Sequence, residues 1–409
     1  MSSRDERNTA LAGVLLAVGC ASPMQHTDDV GAVAVDAPFT TQADSALRDA
    51  PPSLTPDAAL CGAQPLLMRV DSTFAHGAEL TVEGGCFGER AQPAPLLFDD
   101  AEHAYTDVRE GADVPVGEAY PFLSVGGAMH FATTSRPLRG VSTAHYVAYG
   151  AEHKSNFFRA RDYNPDGLGH GHPEFYVSWL TRIDTASAAM ASAKLLRLWA
   201  GDHNGRTYRL NWTTEHLTYA YAEDQGTAAD RYASTTHEFV VDWDTWDGEE
   251  ALTEWHRQEL YFRQSSGPDV ADGRLLMTTD GRIEHDLTIP TWRAEQSAPP
   301  DAISTRPRFG NDPPNRIGVI GFDPSVPVGD YIAELDDIYI DATRARVELC
   351  DTATWSTRAG AHCELQPSRA WSDARITVQM NRGALEDGWL YVVRGDAAVN
   401  EAGFRVDWE

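Results

Sequence analysis

WHRQELYFRQSSGPDVADGRLLMTTDGRI, residues 255–283, is the stretch on which the fold and the function both turn. Residues 255–264 read as one strand, because side chains on a strand alternate between two faces. Leu260 and Phe262 fall on one face, the natural core side. Trp255, Arg257, Glu259, Tyr261 and Arg263 fall on the other. That second row is aromatic, cationic and anionic at once. It makes poor core material and suits a concave polar surface gripping a flat, hydroxylated ligand such as a sugar chain. A loop over 265–274 follows, then a strand over 275–278, then the turn Thr279-Asp280-Gly281-Arg282. Asp-Gly between two strand-like runs is a strong hairpin signal.

The same rhythm fills the middle of the chain. Residues 175–183, 194–199, 208–212, 217–221, 237–243, 317–322 and 331–341 read as strands. Arg197 and Trp199 share one face of the 194–199 strand, with Leu196 and Leu198 on the other. If that strand and 255–264 face one groove, the groove is cationic inside an acidic protein. The chain has 409 residues, a net charge of -28, 33 glycines and 23 prolines, which suits an all-β chain with many turns. The negative charge argues against binding nucleic acid.

The pattern of a Trp, a strand with Glu and Tyr, Asp-Gly, a strand and Asp-Gly resembles the laminin-G-like and concanavalin-like β-jelly rolls, which include the jelly-roll polysaccharide lyases. The ending ELDDIYID, residues 334–341, resembles the last strand of jelly-roll carbohydrate modules. The resemblance implies an antiparallel jelly-roll sandwich over residues 99–342. That fold hosts lectins, glycosidases, lyases and adhesion modules, so it does not select an activity.

ELTVEGGCFG, residues 79–88, resembles the first hairpin of an IPT/TIG domain, an immunoglobulin-like sandwich. Strand candidates at 346–350, 371–380, 389–393 and 404–406 resemble the second half of the same domain. One small sandwich split between residues 61–98 and 343–409, with the jelly roll inserted at a loop, is therefore expected; insertion where loop ends are close is tolerated. Two separate, incomplete flanks are the alternative.

Residues 1–20 read as an export signal: Arg4 and Arg7 precede a short apolar run too short to span a bilayer. LLAVGC resembles a bacterial lipoprotein box and implies a lipid on Cys20 and anchorage to an envelope membrane, with the protein facing the periplasm or the cell surface. Residues 21–60 carry six Asp against Arg48 alone and few large apolar side chains, the composition of a disordered acidic tether. Its reach is about 35 Å. Five cysteines are an odd number for an exported protein. With Cys20 set apart, Cys61–Cys86 with Cys350–Cys363 is one of three connectivities, and an oxidising compartment is required.

Two constellations could carry chemistry. The polar row (Arg197, Trp199, Arg257, Glu259, Tyr261, Arg263) offers guanidinium forks to carboxylate or sulfate groups on a polysaccharide. Read as a lyase, Tyr261 serves as acid or base and Arg257 neutralises the uronate, with His216 or His145 as an alternative base. The strand signatures of alginate lyases and the carboxylate cluster of retaining glycosidases are absent from the sequence, so a non-catalytic glycan-binding or adhesion module leads and a lyase on a uronate glycan is the alternative. A salt-bridge ladder on a solvated face is a third reading. DYNPDGLGHGHPE, residues 162–174, places Asp162, Asn164 and Asp166 like the start of a calcium loop, with Glu174 one residue late for the closing ligand.

Overall fold

The computed structural model describes residues 64–71, 74–116, 120, 122–124, 129–149, 158–160, 172–185, 193–200, 206–212, 217–224, 239–242, 254–263, 273–289, 314–322 and 331–407. Cys20, Cys61, Asp162, Asn164, Asp166 and His216 lie outside them, as do the export signal and the tether.

The protein is all-β and antiparallel. The N-terminal flank supplies β1 (Leu66–Asp71) and β2 (Glu79–Gly85). The middle supplies β3 (Leu97–Asp99), β4 (Phe122–Ser124), β5 (Met129–Ala132), β6 (His145–Tyr149), β7 (Phe158–Ala160), β8 (Glu174–Thr185), β9 (Ala193–Ala200), β10 (Arg206–Trp212) and β11 (Leu217–Asp224). It continues with β12 (Phe239–Asp242), β13 (His256–Arg263), β14 (Gly273–Thr279), β15 (Arg282–Ile289), β16 (Pro314–Phe322) and β17 (Tyr331–Asp341). The C-terminal flank adds β18 (Arg346–Cys350), β19 (Cys363–Gln366), β20 (Ser368–Trp371), β21 (Arg375–Gln379), β22 (Asp387–Val393) and β23 (Phe404–Asp407). The expected strand over 371–380 is two strands, because Ser372 and Arg375 bond to each other and turn the chain between them.

Two sheets come from the middle. One runs β12-β11-β10-β9-β16-β7-β4; the other runs β15-β14-β13-β8-β17-β6-β5, with β3 also on β17. The flanks form β1-β2-β21-β20 and β19-β18-β22-β23. In the first of these, Leu80 lies opposite Val378 and Val82 opposite Ile376, so strands from both ends of the chain pair directly. Leu80, Val82 and Phe87 share a buried core with Val347, Leu349, Ile376, Val378, Leu390 and Val392. Each such side chain contributes about 1.5–3 kcal/mol by leaving water.

The sheet centred on β13 and β8 positions the site. Leu260 lies opposite Val177 and Phe262 opposite Phe175, and all four are almost wholly buried, as alternation requires. The hairpin joining β14 to β15 turns through Asp280 and Gly281, both at positive φ (48° and 71°), the geometry that Asp-Gly supports. β17 carries a bulge between Asp336 and Tyr339, with Asp337 at φ 46°. The bulge re-aims Asp337 at the flank, where Asn381 donates to it, and Arg139 of the middle region donates both to Asp337 and to Glu364.

Candidate functional site: an arginine-lined cavity under the C-terminal flank

The second face of β13 is not the open, solvated row that its composition predicts. Arg257, Glu259 and Tyr261 are buried, at 7%, 5% and 4% exposure. The cover is the C-terminal flank. Leu365 packs with Tyr176, Tyr261, Leu276 and Tyr339 of the sheet, and the Arg346 guanidinium sits 4.3 Å over the Tyr176 ring. Arg257 is used up in this seam: its Nε donates to Ser178 Oγ at 3.0 Å and its Nη1 to the Cys363 carbonyl. Arg257 is therefore a structural clamp and not a groove residue. Periodicity reports which residues share a face but not what later segment covers it, and so it could not show that Arg257 is taken up in the seam.

Glu259 anchors the seam. Tyr176 and Thr278 hydroxyls donate to it, Arg358 Nη2 stands 2.7 Å away and Arg346 Nη2 3.6 Å away. Burial alone would raise its pKa, but the Arg358, Arg346 and Arg257 charges outweigh burial and hold the carboxyl well below its usual range. Arg346 is also bound by Glu348 at 2.6 Å.

Between the sheet and the flank remains a cavity of about 350 Å³, whose lining includes Tyr176, Glu259, Tyr261, Arg344, Arg346, Trp355 and Arg358, with Ile283 also lining it and 65% exposed. Arg344 differs from the other two arginines. Among the described residues its guanidinium makes no ion pair, and it lies 5.1 Å over the Tyr261 ring. Burial, together with the Arg346 and Arg274 charges, lowers Arg344 to about 10, still protonated at neutral pH. Arg346 and Arg358 thus meet Glu259 and Glu348 directly, whereas the Arg344 guanidinium faces the cavity without a direct carboxylate partner among the described residues. The Arg344 amide donates to Glu174 at 3.0 Å, and the Tyr261 hydroxyl bonds to the same carboxyl. Burial and the Glu174 charge push Tyr261 up to about 12, so it remains a phenol and a hydrogen-bond donor.

The cavity can therefore bind an anion, stack a ring against Trp355 or Tyr261, and donate hydrogen bonds. Among the described residues that line it there is no histidine.

The other sequence candidates go elsewhere. Arg263 is exposed at the end of β13. Trp255 stacks on the Arg182 guanidinium at 5.1 Å and meets His145 edge-on. His145 is fully buried, its Nε2 3.0 Å from Glu334. Arg197 and Trp199 belong to β9, between β10 and β16 in the other large sheet, so they do not share a sheet face with β13. Glu174, the expected closing calcium ligand, accepts from the Arg344 amide and the Tyr261 hydroxyl, while its expected partners Asp162, Asn164 and Asp166 lie outside the described residues. A cluster at Asp100, Glu102 and His103 has ligand atoms within 4.8 Å of one another, but Asp100 is bonded to His103 and Glu102 to the Thr143 amide. Cys350 and Cys363 form a disulfide; Cys86 is also disulfide-bonded, and its expected partner Cys61 lies outside the described residues.

Arg344, Arg346, Trp355 and Arg358 were not selected from the sequence. The signal available was Arg346-x-Glu348, which places two charges on one face of a strand otherwise made for a core, with Arg344 just before it.

No family model matches the chain, and no curated protein matches it. Among solved structures, an alginate lyase from a Chlorella virus is similar at 12% identity, covering 53% of this chain and 93% of that one, with a TM-score of 0.32. The alginate lyase Aly36B is similar at 12% identity over 60% of this chain and 96% of that one, TM-score 0.32. The binding domain of botulinum neurotoxin serotype C1 is similar at 9% identity over 68% of this chain and 65% of that one, TM-score 0.27. Likeness at this level carries no information on activity.

Proposed function

We propose that this protein is an exported, envelope-associated binding protein that takes an acidic saccharide into the cavity between the β13 sheet and the C-terminal flank. The observation that carries this reading is Arg344: a partly buried guanidinium without an ion-pair partner among the described residues, lying 5.1 Å over Tyr261 in a cavity walled by aromatic rings. A partly desolvated cation without a direct ion-pair partner is under-compensated, and a bound carboxylate or sulfate would pair with it. The volume is at the small end of ligand sites, which run about 300–1,000 Å³. The planar guanidinium suits a planar carboxylate, and the rings suit the apolar face of a sugar. The export signal and the lipid on Cys20 belong to this proposal, supported by residues 1–20 and by the disulfide.

Binding is favoured over catalysis because the described lining offers cations and aromatic rings but no histidine to serve as a base beside Tyr261. Equilibrium titration with uronate and sulfated oligosaccharides tests the reading. Binding that weakens about tenfold or more on Arg344→Ala and declines with added salt is expected. Absence of binding to every anionic saccharide overturns it. A new ultraviolet absorbance from a C4–C5 double bond during the titration would establish the lyase alternative instead.

A further inference from the structure

The aromatic wall of the cavity does not stop at its mouth. Trp355 lines the cavity and also packs, with Trp389 and Val399, on a cluster made of Tyr391 and the Cys350–Cys363 disulfide. Trp355 and Tyr391 have ring centroids 5.2 Å apart. Trp389 lies opposite Cys350 on β22, so the surface continues from the cavity along β18 and β22 toward the outer strand β23. There Arg405 lies opposite Trp389, with its guanidinium 4.7 Å over the indole. Inside the cavity Arg358 stands over Trp355 in the same way, at 4.2 Å.

The two Trp–Arg pairs differ in charge. The inner one lies beside unpaired Arg344. The outer one is neutralised: Arg405 is 2.5 Å from Asp387 and 2.7 Å from Asp407, and all three side chains are about half exposed or more. The outer pair therefore cannot attract an anion, and two carboxylates beside it repel one. What it offers is a flat guanidinium-on-indole platform flanked by hydrogen-bond acceptors, which matches the face and hydroxyls of an uncharged sugar.

Resting on the cavity reading above, we propose that the ligand is a glycan in which acidic and uncharged residues alternate, the acidic residue occupying the cavity at Arg344 and a neighbouring uncharged residue lying on Arg405 and Trp389. A homopolymer of uronate would place a carboxylate against Asp387 and Asp407 and bind worse.

The test is calorimetric titration of the whole chain with three probes: glucuronate, hyaluronan oligosaccharides (alternating acidic and neutral) and oligogalacturonates of equal length (all acidic). The alternating oligosaccharide should bind about tenfold tighter than the homopolymer. Its gain over the monosaccharide should survive added salt, whereas the monosaccharide term should not. Arg405→Ala, a surface change, should remove the gain while leaving monosaccharide binding unchanged, and Trp389→Ala should remove the gain as well. Equal or tighter binding of the homopolymer, or an unaltered gain in Arg405→Ala, overturns the outer subsite and leaves the cavity reading standing. No binding of any probe sinks the cavity reading itself.

Discussion

Arg257 and Arg344 show how differently one residue type behaves on two sides of the same seam. Arg257 satisfies Ser178 and the Cys363 carbonyl. Arg257→Ala should therefore lower stability by about 1–3 kcal/mol by orphaning those groups, with denaturant midpoint as the readout. Arg344→Ala should leave the midpoint near that of the parent and weaken ligand binding about tenfold or more. Buried carboxylates divide in the same way. Asp99 accepts from Tyr146 and the Ala101 amide, yet burial pushes it up to about 7. A raised carboxyl pKa favours the protonated form on folding, so its contribution is complete below about pH 4 and is lost as pH rises through 7. Asp99→Asn should flatten that decline, by up to about 1.4 kcal/mol per pH unit, when unfolding is compared at about pH 5 and about pH 8. Glu334 is the opposite case. Burial would raise it, but His145, Arg182 and Arg136 outweigh burial and bring it down to about 2. Its contribution is present above its usual range and disappears as pH falls toward 2. Local alternation identified Glu259 and Tyr261 as one face; it could not rank Arg257 against Arg344, because only contacts across the seam separate a clamp from an unpaired charge.

At the scale of elements, the cavity depends on the loop between β18 and β19. The disulfide closes residues 351–362 at their base, and that loop carries Trp355 and Arg358. It rests on the β14–β15 hairpin through the Gly360 amide, which donates to the Asp280 carbonyl at 2.8 Å. Replacing both cysteines by serine should cost about 3 kcal/mol in thermal or denaturant unfolding, and should weaken ligand binding beyond what the lost stability explains. At Gly281, φ is +71° and a Cβ would stand 2.8 Å from the Arg358 carbonyl oxygen. Gly281→Ala should therefore shift the hairpin off the loop at a cost of about 1–3 kcal/mol, seen as a lower melting temperature with reduced protection of the Gly360 amide from exchange. The hairpin was legible from Asp-Gly alone, since backbone sterics at two residues decide it. Its docking on a loop some eighty positions away was not.

At the scale of the whole molecule, the flank and the β13 sheet are fastened by Arg139 to Asp337 and Glu364, by Arg90 to Asp341, by Arg257 to Cys363 and by Arg358 to Glu259. Breaking one partner of a buried pair costs about 3–5 kcal/mol, so these ties couple the two parts. Unfolding followed by tryptophan fluorescence and by circular dichroism should give coincident transitions; a separate early transition of the flank would contradict the coupling. The sequence by itself determined what is short-ranged: the all-β class, the alternation that buries Leu260 and Phe262, and the Asp-Gly hairpin, because propensity and pleat act over a few residues. The tertiary structure alone decided that residues 344–365 roof the polar face of β13, and that Arg344 is the guanidinium of the site left without an ion pair among the described residues. Those outcomes depend on which distant segments meet and which charges they leave uncompensated, and no local pattern encodes that meeting.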